Sequence, residues 1–141
     1  MDYVPCWFCE WHGFSADHVP LDDEMTHYTR GRDFEYRVKR HLERRGFEVA
    51  RMAGSHTAVD LMALRPGSWL FIQCKTDGRI SAEEWNKLLL MAQWANAIPL
   101  LASKDGQGHI VYVRLTGEKR GRERPCEAWE PREVQYDNNT R

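Results

Sequence analysis

The sequence predicts an α/β domain in which helices flank a mixed central sheet, with elements in the order α-β-β-β-α-β-β. Three observations predict this class. The chain has 141 residues and is 42% hydrophobic, which suits one ordinary domain core and excludes wholesale disorder. Two segments carry apolar residues at helical spacing. Five shorter segments alternate or are apolar, and several are bounded by glycine or proline.

The first predicted helix covers residues 30–45. Its apolar positions Phe34, Val38 and Leu42 recur every four residues, and Gly46 is a typical helix stop. One face of this helix is therefore expected to pack on the sheet.

The second predicted helix covers residues 81–96. Ser81 and Glu84 have the spacing of a capping box, in which each residue satisfies a free amide at the helix start. The apolar stripe includes Trp85, Leu88, Leu89, Ala92 and Ala95. Together with Trp94, these residues exceed what one sheet face needs, so they form either core alone or core plus a dimer interface.

The predicted strands are 47–52, 59–64, 69–75, 98–102 and 109–115. The turn Pro66-Gly67-Ser68 joins the second and third strands. A hairpin centred on Gly67 places Asp60 opposite Cys74, with Gln73 and Lys75 as neighbours across the pair. A slip of one residue would invert the faces. Cys74 is expected to be a small buried residue on the face opposite Gln73 and Lys75.

Composition divides the chain into three parts. Residues 1–29 are a Cys/His-rich lead, residues 30–116 are the core, and residues 117–141 are a polar tail for which disorder is expected. No apolar run approaches the length of a membrane span, and the N-terminus lacks the features of a secretory signal. We therefore expect a cytoplasmic protein with no membrane partner.

Charge is unevenly distributed along the chain. The net charge is only −1, but residues 30–51 hold eight basic and four acidic side chains. Local charge governs attraction to phosphate, so this segment is compatible with nucleic-acid binding. The alternative is a solvated helix face.

Four polar residues within or beside apolar segments are the candidate active site: Glu35, Asp60, Gln73 and Lys75. Charged groups are costly to place in such sequence without a partner. Two carboxylates and an amide oxygen suit Mg²⁺, which prefers oxygen ligands. Lys75 would orient or deprotonate the attacking water, or stabilise charge on a phosphate. The alternative is an Asp60–Lys75 ion pair at a sheet edge.

These residues resemble the PD-(D/E)xK nuclease superfamily and, within it, the archaeal-type Holliday junction resolvases, some of which are carried by phages. The resemblance covers residues 29–115. It lies in Gly31-Arg32-Asp33-Phe34-Glu35, Gly46-Phe47-Glu48-Val49-Ala50-Arg51, Gly54-Ser55, Val59-Asp60-Leu61-Met62-Ala63 and Gln73-Cys74-Lys75.

The resemblance implies a homodimer that cuts four-way DNA junctions by paired nicks in DNA recombination and repair. Glu35, Asp60 and Gln73 would bind Mg²⁺ or Mn²⁺, and Lys75 would be catalytic. Arg51 and Ser55 would lie near the scissile phosphate. His56 either joins them or is an ordinary loop histidine.

Two positions depart from the family pattern. Gln73 stands where an acid is usual, which predicts weaker metal affinity or a preference for Mn²⁺. Tyr36 stands where the family has a basic residue, so Arg32 or Arg37 would have to replace that phosphate contact.

The lead contains a separate candidate metal site. Cys6, Cys9, His12 and His18 offer four zinc ligands in thirteen residues, with His27 or Cys126 as substitutes. The spacing matches no common zinc finger. The alternative is a lead that packs its aromatic residues on the core around free thiols.

Three function hypotheses remain open. The leading one is a junction-resolving endonuclease. The others are a restriction- or exonuclease-like member of the same superfamily, and a non-catalytic DNA-binding module whose site has decayed at Gln73. The sequence has no GxxxxGK[ST] motif, so no nucleotide cofactor is expected.

Overall fold

A computed structural model describes the backbone of residues 23–52 and 57–132 and the side chains of residues 29–52 and 57–132. The elements are α1 (Asp23–Glu43), β1 (Glu48–Arg51), β2 (Leu61–Arg65), β3 (Ser68–Cys74), α2 (Ala82–Ala95), β4 (Ile98–Lys104), β5 (Ile110–Leu115) and β6 (Cys126–Trp129). The backbone divides into two compact units, residues 1–30 and 31–141. Within the described ranges, neither helix is long and apolar enough to cross a membrane.

The six strands form a mixed sheet in chain order. β3 and β4 are parallel, and every other neighbouring pair is antiparallel. Parallel neighbours need a crossover connection, and α2 supplies it between β3 and β4. This confirms the predicted α/β class with a mixed sheet and flanking helices.

The core consists of two clusters on opposite faces of the sheet, because neighbouring strand residues point to opposite sides. The α1 cluster contains the predicted helix positions Phe34, Val38 and Leu42, all at most 1% exposed, packed against Leu70 and Ile72. The α2 cluster contains these buried residues: Trp85, Leu88, Leu89, Ala92, Phe71 and Leu101. Burial of these side chains drives both helices onto the sheet.

The caps of α2 agree with its sequence. The Ser81 hydroxyl accepts a hydrogen bond from the Glu84 amide, the Glu84 carboxylate accepts one from the Ser81 amide, and Asn96 ends the helix in the left-handed conformation with φ 53°. The capping box predicted from these two residues is therefore present.

Three details of the prediction were wrong. The helix α1 begins at Asp23 rather than near Arg30, and acidic residues at its start favour that end of the helix dipole. The expected tail contains β6, which pairs with β5 and sets Trp129 edge-to-face on Tyr112 at 5.5 Å. An edge strand needs few apolar residues, so the polar composition hid it.

The third error concerns the hairpin. Leu61 lies opposite Ile72 and Arg65 opposite Ser68, so the register differs by one residue from a hairpin centred on Gly67. Gly67 has φ 79° and closes the turn together with Pro66 alone, which leaves Ser68 in the strand. The ladder ends at Leu61 and Ile72, and the Asp60 amide donates a hydrogen bond to the Ile72 carbonyl at 2.8 Å, so Asp60 does not form the predicted strand pair with Cys74.

Candidate active site

The candidate residues meet at one end of the sheet. β2 runs antiparallel to both β1 and β3, so the carboxyl ends of β1 and β3 lie beside the amino end of β2. Arg51 ends β1, Asp60 directly precedes β2, and Gln73 is the penultimate residue of β3, two positions before Lys75. Residues far apart in sequence are thus brought to one end of the sheet.

Asp60 is held by the backbone around it. Its carboxylate oxygen Oδ2 accepts a hydrogen bond from the Cys74 amide at 2.8 Å, and its own amide donates to the Ile72 carbonyl at 2.8 Å. Burial, together with the Glu35 and Glu84 carboxylates, raises the pKa of Asp60 to about 6, against the lowering effects of the Cys74 amide and Lys75. A bound cation would relieve this cost.

Glu35 reaches the site from α1. Its Oε2 accepts a hydrogen bond from Nε of Arg51 at 2.7 Å, and both side chains are partly buried. The Arg51 guanidinium lies 5.3 Å from the Tyr36 ring centroid, and that of Arg32 lies 5.7 Å from it. The negative charge of the Glu35 carboxylate is one of the causes that raise the pKa of Asp60, so the two side chains interact electrostatically.

Gln73 is a buried polar residue of the sheet, with 6% of its surface exposed. Its oxygen Oε1 is buried and has no hydrogen-bond partner in the described structure. Leaving such an oxygen unsatisfied costs about 1–3 kcal/mol, so it requires an explanation. An amide oxygen beside Asp60 is a suitable ligand for a hard cation.

Cys74 points away from Gln73, as expected. It packs against the α1 cluster, and burial, with the Asp60 and Glu35 carboxylates, raises the pKa of its thiol well above the ordinary value. A thiol held in this way is a poor nucleophile and a poor metal ligand.

Lys75 is placed from two sides. Its amide donates to the Ala102 carbonyl of β4 at 2.9 Å, and its ammonium Nζ lies 3.2 Å from Oε1 of Glu84. Glu84 was identified from the sequence only as a capping residue. The short β3–α2 connection was a usable signal, because it returns the first turn of α2 to the end of β3.

The oxygen donors of this site fit a hard metal ion. Glu35 and Asp60 offer carboxylates and Gln73 a neutral oxygen, which is oxygen chemistry of the kind Mg²⁺ and Mn²⁺ accept. In the parts of the chain described here, no group of three or more His, Cys, Asp or Glu side chains could hold a metal by itself. The Gln73 amide would add a third protein oxygen to the two carboxylates of this donor set.

Several predicted residues lie outside the described residues. These are Ser55 and His56, and the zinc candidates Cys6, Cys9, His12 and His18. Of the substitute zinc ligands, Cys126 lies in β6 and is partly buried. The roles expected for all of them remain predictions.

A basic concave surface lies on another flank of α1. Its cavity of about 350 Å³ is lined by Arg37, Arg40, His41, Arg44, His109 and Ile110. Arg37 donates to the Gly108 carbonyl at 3.0 Å, which ties the helix to the β4–β5 connection. Burial and the cations Arg45 and Arg44 lower the pKa of His41, which reflects the positive surroundings. The basic segment found in the sequence therefore forms a defined surface.

The likeness to known proteins covers the same part of the chain. The family model for the archaeal Holliday junction resolvase, Hjc, matches residues 26–123. The crossover junction endodeoxyribonuclease Hjc of Methanocaldococcus jannaschii is 41% identical over 90 residues, which span 61% of this chain and 66% of that protein. The chain thus matches slightly less than two thirds of that relative.

A solved structure shares the fold. The Holliday junction resolvase Hjc of Archaeoglobus fulgidus superposes with a TM-score of 0.53 at 23% identity, covering 63% of this chain and 80% of that one. The family model covers more than half of the chain and includes Glu35, Asp60, Gln73 and Lys75. This chain belongs to the archaeal Holliday junction resolvase family.

Proposed function

We propose that this chain is a divalent-metal-dependent endodeoxyribonuclease that resolves four-way DNA junctions by paired nicks. The observation that carries the proposal is the meeting of Asp60, Gln73 and Lys75 at one sheet end, beside the Glu35–Arg51 pair, in a chain of the archaeal resolvase family. The name of the curated relative, a crossover junction endodeoxyribonuclease, supports the same reaction class.

Asp60, Glu35 and Gln73 would hold the metal. When bound, Mg²⁺ or Mn²⁺ would lower the pKa of a coordinated water and neutralise negative charge on the phosphate. The partnerless oxygen of buried Gln73 and the raised pKa of Asp60 both support a cation at this position. Because Gln73 carries no charge, we expect weaker Mg²⁺ binding than an acid would give there.

The remaining residues act on the DNA and on the water. Lys75, whose ammonium is paired with Glu84, would orient the attacking water or stabilise charge developing on the phosphate. Arg51 orients Glu35 and presents its guanidinium at the same end of the sheet, where a scissile phosphate would lie. Ser55 and His56 are proposed to approach that phosphate as well.

We further propose that the active form is a homodimer. Two opposed nicks need two copies of the site, and a two-fold axis would make the cuts symmetric. On α2, the core covers Trp85, Leu88 and Leu89 but leaves Trp94 76% and Leu90 44% exposed, so these two side chains are available to a second copy. Sedimentation of the purified chain, with Trp94→Glu as the interface variant, tests this proposal.

The deciding experiment compares cleavage of a four-way junction, a linear duplex and a single strand, with Mg²⁺, with Mn²⁺ and without metal. Paired nicks confined to the junction support the proposal. Equal cutting of duplex would indicate another nuclease of the superfamily, and binding without cutting would indicate a DNA-binding module. Asp60→Ala and Lys75→Ala should abolish cleavage and leave junction binding largely intact. Retained cleavage in both variants would refute this active site.

A further inference from the structure

We propose that Glu84 is a positioning residue of the active site: it holds the Lys75 ammonium in place and supplies, from α2, the negative charge that Gln73 does not provide. The inference rests on the proposed function, because it assigns Glu84 a role through Lys75. It goes beyond the capping role that the sequence assigns to Glu84.

Both oxygens of the Glu84 carboxylate are used, and they face different groups. Oε1 lies 3.2 Å from Nζ of Lys75, and Oε2 accepts a hydrogen bond from the Ser81 amide at 3.4 Å. The Ser81 hydroxyl in turn accepts a hydrogen bond from the Glu84 amide at 3.1 Å. The Ser81 backbone amide, which Ser81→Ala would retain, thus orients the Glu84 carboxylate, and the other carboxylate oxygen lies beside Lys75.

A lysine side chain needs such a contact if it is to act at a fixed point. Its ammonium sits on a flexible four-carbon stem, so the backbone alone does not determine where the charge lies. Here the backbone of Lys75 is fixed by its hydrogen bond to Ala102 of β4, and the ammonium by Glu84 of α2. The two contacts define both ends of the side chain.

The charge of Glu84 also reaches the rest of the site. The carboxylate acts on Asp60 through space, as the Glu35 carboxylate does from α1. Neutral Gln73 adds no charge to this end of the sheet, whereas the two helix glutamates and Lys75 all act on the pKa of Asp60. An acid at position 73 would carry its negative charge within the strand, and here the adjacent helix carries a negative charge beside Lys75.

A capping role alone predicts a different response to mutation. The Lys75–Glu84 pair is partly exposed, with side chains 30% and 42% accessible, so it contributes little to stability. The cap and the ion pair can be broken separately. Glu84→Gln removes the charge but keeps a residue that suits the capping box, whereas Ser81→Ala removes the cap hydroxyl and leaves the charge.

The experiment measures three quantities on the full chain of wild type, E84Q and S81A. They are the single-turnover cleavage rate on a four-way junction with Mg²⁺ and Mn²⁺, the junction dissociation constant, and the thermal midpoint. We expect E84Q to lower the cleavage rate about 10- to 100-fold, as changes in supporting residues of metal sites do, with junction affinity and thermal midpoint near wild type. We expect S81A to lower the thermal midpoint and to keep the wild-type rate.

A second readout follows Lys75 itself and does not depend on activity. Carbon-13 relaxation of the Lys75 ε-methylene should report a larger amplitude of motion in E84Q than in wild type or S81A. Unchanged motion in E84Q, a wild-type cleavage rate in E84Q, or an equal loss of rate in both variants would overturn the proposal.

The variant K75M distinguishes a failure of the proposed active site from a failure of the role assigned to Glu84. If K75M cleaves junctions at the wild-type rate, the proposed active site fails. If K75M is inactive but E84Q has the rate and the Lys75 mobility of wild type, only the role of Glu84 fails.

Discussion

Replacing Asp60 with asparagine should make the metal-free protein more stable at neutral pH while abolishing cleavage. The raised pKa of Asp60 means that the folded chain holds this carboxylate at a cost, mainly because it is buried. Asparagine keeps an oxygen that can accept the hydrogen bond from the Cys74 amide and removes the charge. The substitution therefore isolates the cost of the charge.

The magnitude follows from the shift. A rise from 3.8 to about 6 is about two pKa units, which corresponds to about 3 kcal/mol in the free energy of unfolding once the carboxyl is ionised. Asp60 retains some access to water, so we expect about 1–2 kcal/mol of stabilisation in Asp60→Asn at pH 7.5. A gain of this kind is typical of a site that sacrifices stability for function.

The pH dependence has a definite sign. The folded state binds the Asp60 proton more tightly than the unfolded state does, so protonated Asp60 favours the folded chain. This stabilisation by Asp60 is fully present below pH 4, and it is lost as the pH rises through about 6. The advantage of the asparagine variant should therefore be small at pH 4.5 and reach its full value by pH 7.5.

Urea unfolding followed by tryptophan fluorescence measures this directly, since Trp85 is fully buried. Both proteins are unfolded at pH 4.5 and pH 7.5, with and without Mg²⁺. Mg²⁺ should stabilise the wild type and leave the variant unchanged. A variant that is less stable than wild type at pH 7.5, or equally favoured at both pH values, would refute the reasoning.

Three further predictions concern Gln73, the basic surface on α1 and the α2 cluster. Gln73→Glu adds a carboxylate beside Asp60, so it should lower metal-free stability by about 1–3 kcal/mol and keep or raise cleavage in Mg²⁺. Complete inactivation of this variant would show that the amide does more than donate an oxygen to the metal. Reversing Arg40 and Arg44 together to glutamate should weaken junction binding and reduce the slope of log affinity against log salt by about 2 in magnitude. Reversal of exposed Arg122 in the β5–β6 connection is the control, and an unchanged slope for the pair would dismiss the basic surface. Leu88→Ala should cost about 2–4 kcal/mol in urea unfolding because Leu88 is fully buried in the α2 cluster, and a loss below about 1 kcal/mol would contradict that packing.

Periodicity predicted the parts of the fold that depend on burial. Phe34, Val38 and Leu42 had to share a helix face, and all three are buried against the sheet. The register of the β2–β3 hairpin did not follow from the same pattern. It depends on whether Ser68 belongs to the turn or to the strand, and alternation along one strand does not determine that choice.

The sequence predicted site residues where a polar side chain interrupts an apolar strand, as at Asp60 and Gln73. It did not predict Glu84, because a capping box explains that glutamate completely without any second partner. A residue with two roles shows only the local one in sequence. The second role depends on the distance from α2 to the end of β3, which is a property of the folded chain.

The site draws on both faces of the sheet, and this arrangement follows from strand alternation. Along β3, Ile72 and Cys74 belong to the α1 face, while Phe71 and Gln73 belong to the α2 face. Glu35 comes from one helix and Glu84 from the other, yet both act on Asp60 at the end of β2. Neither helix could supply both charges while packed on a single face. A carboxylate at the end of a strand, beyond the covered sheet, is the position that both can influence, which is why the charged groups gather there rather than in a pocket on either face.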